Sequence, residues 1–130
     1  KMATDIMLKN KDGGSIINIA SILAERVGLN LASYASAKAA LVQLTKSMAL
    51  ELARSNIRVN ALAPGYILTE INQDFFDTKE GQGYINKIPM KRLGFESELD
   101  GALLLLASDA SSFMTGSVIT VDGGHVINPL

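Results

Sequence analysis

Blocks of apolar residues alternate with polar ones along this chain, and their lengths predict strands and helices in turn. Three short apolar runs predict buried strands, at residues 15–20, 57–61 and 117–121. Longer segments with helical spacing predict helices, at residues 2–10, 33–54 and 96–108. Because strands and helices alternate, we predict an α/β fold with parallel strands, right-handed crossovers and helices on both faces of the sheet.

The longest predicted helix, residues 33–54, is more extensively apolar than packing on one sheet requires. We predict Ser33 as its N-cap and Asn56 as the residue that closes it. Its apolar positions cover roughly half of the circumference, whereas a surface helix needs an arc of little more than about 100°. These positions are Ala35, Ala37, Leu41, Val42, Leu44, Met48, Ala49, Leu52 and Ala53. The excess predicts a second buried contact, unless the alanines serve only to raise helix propensity.

Residues 66–92 are less regular, and we interpret them as a mobile substrate lid. They contain short helical patches with aromatic residues, which Gly81 and Gly83 are predicted to interrupt. Gly81-Gln82-Gly83 is also the nearest match to a glycine-rich nucleotide-binding turn. No apolar run precedes it and its third glycine is missing, so we interpret it as a loop.

Tyr34 and Lys38 are the first candidates for chemistry, because they are four residues apart in the alanine-rich helix. This spacing places both side chains on one helix face. An ammonium beside a phenol favours the phenolate, which suits a tyrosine that exchanges protons near neutral pH. Ser21 follows the first predicted strand, and α/β folds place their chemistry at strand ends. We therefore predict a site that combines these three residues.

Four segments of the chain resemble the short-chain dehydrogenase/reductase family, in the family's order and at its spacing. They are the strand and serine at residues 14–21, the Tyr-x-x-x-Lys helix at 34–38, the loop at 60–65 and the last strand at 115–124. The resemblance covers nearly the whole chain. It implies the C-terminal half of a doubly wound parallel-sheet Rossmann fold, with residues 1–130 as a single partial domain of three parallel strands and flanking helices.

The family's N-terminal half would then precede residue 1. That half carries the glycine-rich turn that holds the cofactor's pyrophosphate at a helix N-terminus. It also carries the family's fourth active-site residue, an asparagine, so neither Asn10 nor Asn18 is assigned that role. The residue that selects NAD or NADP would lie there too, so the cofactor preference stays open.

The resemblance implies hydride transfer between NAD or NADP and a carbonyl compound or secondary alcohol. Tyr34 would be the general acid in reduction and the base in oxidation. Lys38 would assist Tyr34 and bind the nicotinamide ribose, while Ser21 would hold the carbonyl oxygen and share its developing charge. The residues implied to lie against the cofactor are Tyr34, Lys38, Pro64, Gly65, Ile67 and Thr69.

The substrate is less well defined by the sequence. The loop at 22–32 and the lid at 66–92 would line its pocket, and their apolar and aromatic residues favour a substrate with an apolar portion. A 3-oxoacyl thioester, a sugar lactol and a small ketone are all compatible with this. Members of the family commonly pair the long helix with its copy, which implies a homodimer or homotetramer through residues 33–54. The alternative is a truncated, non-catalytic fragment that serves only in assembly.

Composition excludes several other classes of function. The chain has 12 basic and 13 acidic residues among 130, so we predict no nucleic-acid partner. The apolar stretch at 102–107 is far shorter than the roughly 20 residues needed to span a bilayer, and no signal peptide is recognised. We therefore predict a cytoplasmic protein without a membrane partner. Without cysteine, and with His125 as the single histidine, we predict no metal site and interpret His125 as solvated or at an interface.

Overall fold

The computed structural model describes residues 2–9 and 13–128, which form a parallel three-stranded sheet with helices on both faces. Its strands are β1 (Gly14–Ile19), β2 (Ile57–Pro64) and β3 (Val118–Val121), in the order β1-β2-β3. Gly14 pairs with Ile57 on one side of β2, and Ala61 pairs with Val118 on the other. The predicted α/β class and the three parallel strands are confirmed, although β2 is longer than predicted.

The α-helices within the described residues are α1 (Met2–Lys9), α2 (Ala32–Leu52), α3 (Gln73–Phe76), α4 (Lys79–Ile85) and α5 (Asp100–Ala107). Short 3₁₀ turns occur at Ile22–Ala24, Ala53–Ser55, Glu96–Leu99, Asp109–Ser111 and His125–Ile127. The helix predicted over 96–108 is therefore a 3₁₀ turn followed by α5. The predicted end of the first helix at Asn10 lies outside the described residues.

Helix α2 packs on one face of the sheet through small side chains. Ala49 contacts Ile57 and Val59 of β2, and Val42 packs on the alanines at the other end of that strand. Thr45 is fully buried; its hydroxyl donates to the Leu41 carbonyl at 2.8 Å and accepts from Asn18 Nδ2 at 2.9 Å. The last bond fixes α2 against β1, which gives Asn18 a structural role.

Helix α5 covers the opposite face of the sheet. Because side chains alternate between the two faces of a sheet, Ser15 of β1 and Arg58 of β2 point away from α2. Both donate to the Leu106 carbonyl, at 2.8 and 3.0 Å. Arg58 also reaches the Ser108 carbonyl at 3.1 Å. These bonds satisfy carbonyl groups at the C-terminal end of α5 that have no partner within the helix.

The ends of α2 agree only in part with the sequence. The helix begins at Ala32 with Leu31 in the cap position and without a side-chain cap, so the predicted Ser33 N-cap is wrong. Asn30, which has a positive φ of 61°, precedes the cap residue Leu31, and the helix starts at the next residue. Ser33 therefore lies inside the first turn. At the other end α2 stops at Leu52, two residues before the predicted end, and Asn56 closes the 3₁₀ turn Ala53–Ser55 that follows it. The Asn56 φ of 57° is a left-handed conformation that asparagine tolerates well.

The outer surface of α2 keeps apolar residues that the sheet does not cover. Leu41, Met48 and Leu52 are half-buried, as the predicted stripe requires. Ala37 and Leu44 of the same stripe are exposed, Leu44 by 50%. The sheet covers only part of the apolar arc, and the remainder faces outward.

The region predicted as a lid is more helical than expected. Gly81 and Gly83 lie inside α4, so the predictions that they interrupt helical patches and form a loop are wrong. The break lies instead before Thr78, whose side chain caps α4 by accepting from the Gly81 N–H at 3.1 Å. Gly81 is buried, and a Cβ there would collide with the Phe75 carbonyl oxygen. This glycine therefore permits close packing of α4 on α3.

Helices that are long and apolar enough to cross a bilayer do not occur within residues 2–9 and 13–128.

Candidate active site

Ser21 lies just beyond the carboxyl end of β1. The strand direction continues to Ala20, whose N–H donates to the Leu62 carbonyl at 2.7 Å. Ser21 is 8% exposed and has extended backbone, and its Oγ accepts from the Leu23 N–H at 3.2 Å. This bond caps the turn Ile22–Ala24 and uses the oxygen as an acceptor. The hydroxyl hydrogen stays available for donation to a bound oxygen atom.

Tyr34 and Lys38 lie on one face of α2, one turn apart. The Lys38 Nζ is 5.6 Å from the centroid of the Tyr34 ring. It also donates to the carbonyl oxygen of Ile19, the last residue of β1, at 2.8 Å. Lys38 is thereby held at the strand end that leads to Ser21, and Tyr34 is 45% exposed above it.

A cavity of about 270 Å³ brings Ser21 and Tyr34 together. It is lined by Ser21, Ile22, Leu23, Leu31, Tyr34, Gly65 and Tyr66. Three of these residues carry hydroxyl groups, and the remaining lining is apolar. Two of the predicted catalytic residues, Ser21 and Tyr34, therefore face one cavity. The third, Lys38, lies beside the Tyr34 ring.

The loop after β2 reaches the same cavity through Gly65. The Gly65 N–H donates to the Val121 carbonyl at 2.9 Å. A Cβ on Gly65 would lie 2.6 Å from the Cβ of Asp122, so only glycine allows the loop to pass the end of β3 so closely. The backbone of Gly65 therefore lies directly against Asp122 of the same chain.

The remaining residues predicted to bind the cofactor line other cavities. Ile67 lines one of about 520 Å³, together with residues of β3 and the glycines that follow it. Thr69 lines a groove of about 660 Å³. Asn72, which the sequence did not single out, holds both positions: its Nδ2 donates to the Ile67 carbonyl at 2.8 Å, and its Oδ1 accepts from the Thr69 N–H at 2.9 Å.

Tyr66 belongs to the segment 66–92 that was predicted to line the substrate pocket, and it lines the cavity of Ser21 and Tyr34. Its ring contacts Phe76, Tyr84 and His125, with centroid separations of 5.6, 5.8 and 5.3 Å. Burial, followed by the nearby Tyr84, raises the pKa of the Tyr66 phenol. Because Tyr66 also lines the 270 Å³ cavity, the helices of the predicted lid contact the cavity wall through it.

His125 is half-buried rather than solvated. Its ring lies against Tyr66, and its Nδ1 is buried without a hydrogen-bond partner in the described part of the chain. Burial, with Arg26 nearby, lowers the pKa of the imidazole, which favours the neutral ring.

Arg26 joins the loop after Ser21 to the C-terminal turn. Its Nη1 donates to the carbonyl oxygens of His125, Val126 and Asn128, at 2.7, 3.1 and 3.4 Å. The contacts link residues 99 to 102 positions apart, so local patterns in the sequence give no sign of them. Arg26 thus ties one side of the cavity, the Ser21 loop, to the turn that carries His125 against Tyr66.

Arg92 and Glu98 form a bidentate ion pair at the edge of the 520 Å³ cavity. Both nitrogen-to-oxygen distances are 2.7 Å. Glu98 also accepts from the Phe95 N–H at 2.8 Å. The hydrogen bonds from Arg92 and Phe95 lower the pKa of the Glu98 carboxyl from 4.5 to about 2.

These features define a Rossmann-like α/β protein with serine, tyrosine and lysine at the carboxyl end of its first strand. The sequence profile of the family described as "Enoyl-(Acyl carrier protein) reductase" matches residues 1–126. The chain belongs to the short-chain dehydrogenase/reductase family.

Almost the whole chain matches similar proteins, but it spans only about half of their length. The 7alpha-hydroxysteroid dehydrogenase of Escherichia coli K12 is 40% identical over 92% of this chain and 47% of its own. The 3-oxoacyl-[acyl-carrier-protein] reductase FabG of Thermotoga maritima is 40% identical over 98% and 51%. A solved gluconate 5-dehydrogenase from Burkholderia cenocepacia, in complex with NADP and tartrate, has a TM-score of 0.88 at 39% identity, over 95% of this chain and 48% of its own.

Proposed function

We propose that this chain is the C-terminal part of an NAD- or NADP-dependent oxidoreductase that interconverts a carbonyl compound and a secondary alcohol. The observation that carries the proposal is the shared cavity of Ser21 and Tyr34, with Lys38 beside the tyrosine ring. Membership of the family supports it, as does the NADP in the similar Burkholderia structure. Because the chain spans about half the length of the relatives it matches, the proposed activity is tested on the full-length protein.

The residues of the site fit a nicotinamide cofactor. The Lys38 ammonium has three N–H donors, and one of them bonds to the Ile19 carbonyl. Two donors therefore remain for ribose hydroxyls. The Ile67 N–H makes no hydrogen bond among the described residues, which leaves it free to donate to a carboxamide oxygen. The Thr69 hydroxyl is a further donor for the same ligand. When bound, the cofactor supplies the hydride that is added to the carbonyl carbon.

The chain's own residues handle the oxygen atom and its proton. Ser21 donates its hydroxyl hydrogen to the carbonyl oxygen and stabilises the negative charge that develops as the C=O π bond breaks. Tyr34 transfers its phenolic proton to that oxygen, which yields the alcohol. The Lys38 ammonium stabilises the Tyr34 phenolate until the tyrosine regains a proton from solvent. Oxidation of an alcohol runs through the same groups in reverse.

Replacing Tyr34 by phenylalanine tests this function. The substitution keeps the ring and removes the transferable proton, so turnover should fall by the ~10² to 10⁴-fold typical of a general acid or base. Cofactor affinity should change little. Loss of the nicotinamide absorbance in the presence of carbonyl substrates measures turnover, and titration of cofactor fluorescence measures affinity. Ser36→Ala, which removes an exposed hydroxyl from the same helix, is the control. Near-normal turnover of Tyr34→Phe would refute the proposed function.

We also propose that α2 pairs with its copy in a homodimer or homotetramer. The exposed apolar positions Ala37, Ala40 and Leu44 follow one another at helical spacing on its outer surface. Small residues there allow two helices to approach closely. The partner that we propose besides a second copy of the chain is a small-molecule substrate. The cytoplasmic location remains a prediction.

The competing function is that of a non-catalytic unit which retains the fold for assembly. The half-length match to its relatives is the observation that favours it. Ligand binding separates the two functions, because a ligand that binds only the folded state raises the melting temperature. Saturating NADH or NADPH should raise the Tm of the full-length protein if it is the proposed enzyme. An unchanged Tm with both cofactors would support the assembly function.

A further inference from the structure

The cavity at Ser21 and Tyr34 has no charged side chain in its lining. Besides three hydroxyl groups, the described residues around it present the apolar side chains Ile22, Leu23 and Leu31 and the backbone of Gly65. A carboxylate held against this lining would give up part of its hydration without gaining an ion pair among the described residues, which is unfavourable. The lining therefore bears directly on the charge of the substrate.

Arg26 is the cation of the loop that contributes Ile22 and Leu23, and it is already engaged. Three carbonyl oxygens of the C-terminal turn accept from its Nη1, at 2.7, 3.1 and 3.4 Å. Turning the guanidinium toward the cavity would break these bonds and leave the three carbonyls without that donor. Arg26 thus positions the turn and is not available to receive a substrate carboxylate.

Lys38 and His125 do not replace it, and Lys87 lies over the Tyr84 ring at 5.7 Å, outside the lining of the cavity. Lys38 is held by the Ile19 carbonyl and the Tyr34 ring, and the proposed mechanism requires it there. His125 packs on Tyr66, behind the cavity wall. The ring of Tyr66 is backed by the rings of Phe76 and Tyr84, which carry no charge.

From this arrangement, and resting on the proposed function, we infer the substrate class of the site. It takes an uncharged ketone or secondary alcohol with an apolar group beside the reacting carbon, and it discriminates against a carboxylate at that position. Leu23 and Leu31 are the residues that would contact the apolar group.

A matched pair of compounds tests the inference in the full-length protein. Ethyl acetoacetate and acetoacetate carry the same ketone, and only the second carries a free carboxylate. With saturating NADPH, or NADH if that is the cofactor used, kcat/KM should be at least ~100-fold higher for the ester, as expected when a charge that loses hydration gains no partner. Equal or better reduction of acetoacetate would overturn the inference and leave the proposed function intact. Reduction of neither compound, at concentrations that saturate the site in Tm measurements, would count against both.

An introduced cation gives the second test. Leu23→Arg places a guanidinium on the cavity wall and should lower the ester-to-acid ratio of kcat/KM at least tenfold, chiefly through a lower KM for acetoacetate. Val27→Arg is the control, because Val27 is 94% exposed in the same loop and does not line the cavity, so its ratio should stay as in the wild type. If Leu23→Arg does not fold, Leu31→Arg serves the same purpose. A ratio unchanged by the arginine in a folded variant would overturn the inferred position of the substrate.

Discussion

The ammonium group of Lys38 donates to the main-chain carbonyl of Ile19 at 2.8 Å. This bond connects helix α2 to the last residue of strand β1. This bond orients Lys38 beside Tyr34 before any ligand arrives. It also places the pair close to Ser21, which follows Ile19 by two residues. Preorganisation of this kind lets the site stabilise charge without rearranging at the moment of reaction.

Lys38→Ala should therefore impair two properties together. It removes the cation that stabilises the Tyr34 phenolate and the two donors proposed for the ribose, so turnover should fall by ~10²-fold or more and the cofactor Kd should rise. Steady-state kinetics and cofactor titration on the full-length protein measure both. Lys46→Ala removes an exposed lysine from the same helix and is the control. A variant with reduced turnover and unchanged cofactor affinity would show that Lys38 does not bind the ribose.

Gly81 and Gly83 provide a matched test of the packing of α4. Gly81→Ala forces a Cβ against the Phe75 carbonyl and the Phe76 Cα, which cannot move independently of the backbone, and should destabilise the protein by about 1–3 kcal/mol. Gly83→Ala meets no atom within 4 Å in the described structure and should stabilise the helix by about 0.5–1 kcal/mol. Denaturant unfolding of both variants measures the difference. Equal effects would mean that α4 does not pack on α3 in this way.

These glycines also show why local sequence predicted some elements and not others. The presence of the three strands and the one-turn spacing of Tyr34 and Lys38 depend on residues that are close in the chain, and the sequence was sufficient for them. A glycine, in contrast, is equally consistent with a hinge, a loop or a close helix contact. The backbone of Phe75, which a Cβ on Gly81 would meet, shows that Gly81 serves a close helix contact.

The segments 22–32 and 66–92 were predicted to line the pocket, but the contacts that hold its wall together could not be predicted, for a related reason. Arg26 and His125 are 99 residues apart, and Tyr66 meets His125 across the sheet's carboxyl edge. Neither contact leaves a periodic pattern. The order of residues in the sequence made Ser21, Tyr34 and Lys38 candidates, whereas the contacts of Tyr66, Asn72 and Arg26 are created only by the fold.

The Arg92 and Glu98 pair predicts how stability responds to acid. The folded-state pKa of Glu98 is lowered from 4.5 to about 2, so the pair contributes its full stabilisation above pH 4.5. That contribution is lost as the pH falls from about 4.5 to about 2, because the unfolded carboxyl takes up its proton first. The Tm of wild type should therefore fall more steeply across this interval than that of Glu98→Gln. Parallel curves for the two proteins would show that the pair is not formed in solution.

The outer surface of α2 predicts the oligomeric state. Leu44→Glu places a charge in the proposed helix pair, where burial without a partner is unfavourable, and should convert the oligomer to a smaller species. Sedimentation velocity of the full-length protein measures its mass. Leu50→Glu is the control, because Leu50 is 82% exposed on another side of the same helix. If Leu44→Glu kept the wild-type mass, a surface other than this one would hold the subunits together.

The helices of the proposed lid, residues 70–90, connect ligand binding to local order. Tyr66 lies in the wall of the Ser21 cavity and contacts Phe76 of α3 and Tyr84 of α4, so a substrate against Tyr66 would stabilise both helices. Both are short, at 4 and 7 residues, and short helices depend on such packing. We expect amide hydrogen exchange in residues 70–90 of the full-length protein to slow at least ~10-fold when cofactor and substrate bind together, with less effect in β2. Because the glycines lie within α4, the largest change should centre on the break at Thr78. High protection without ligands, unchanged by their addition, would show that these helices form a fixed wall and that no lid closes.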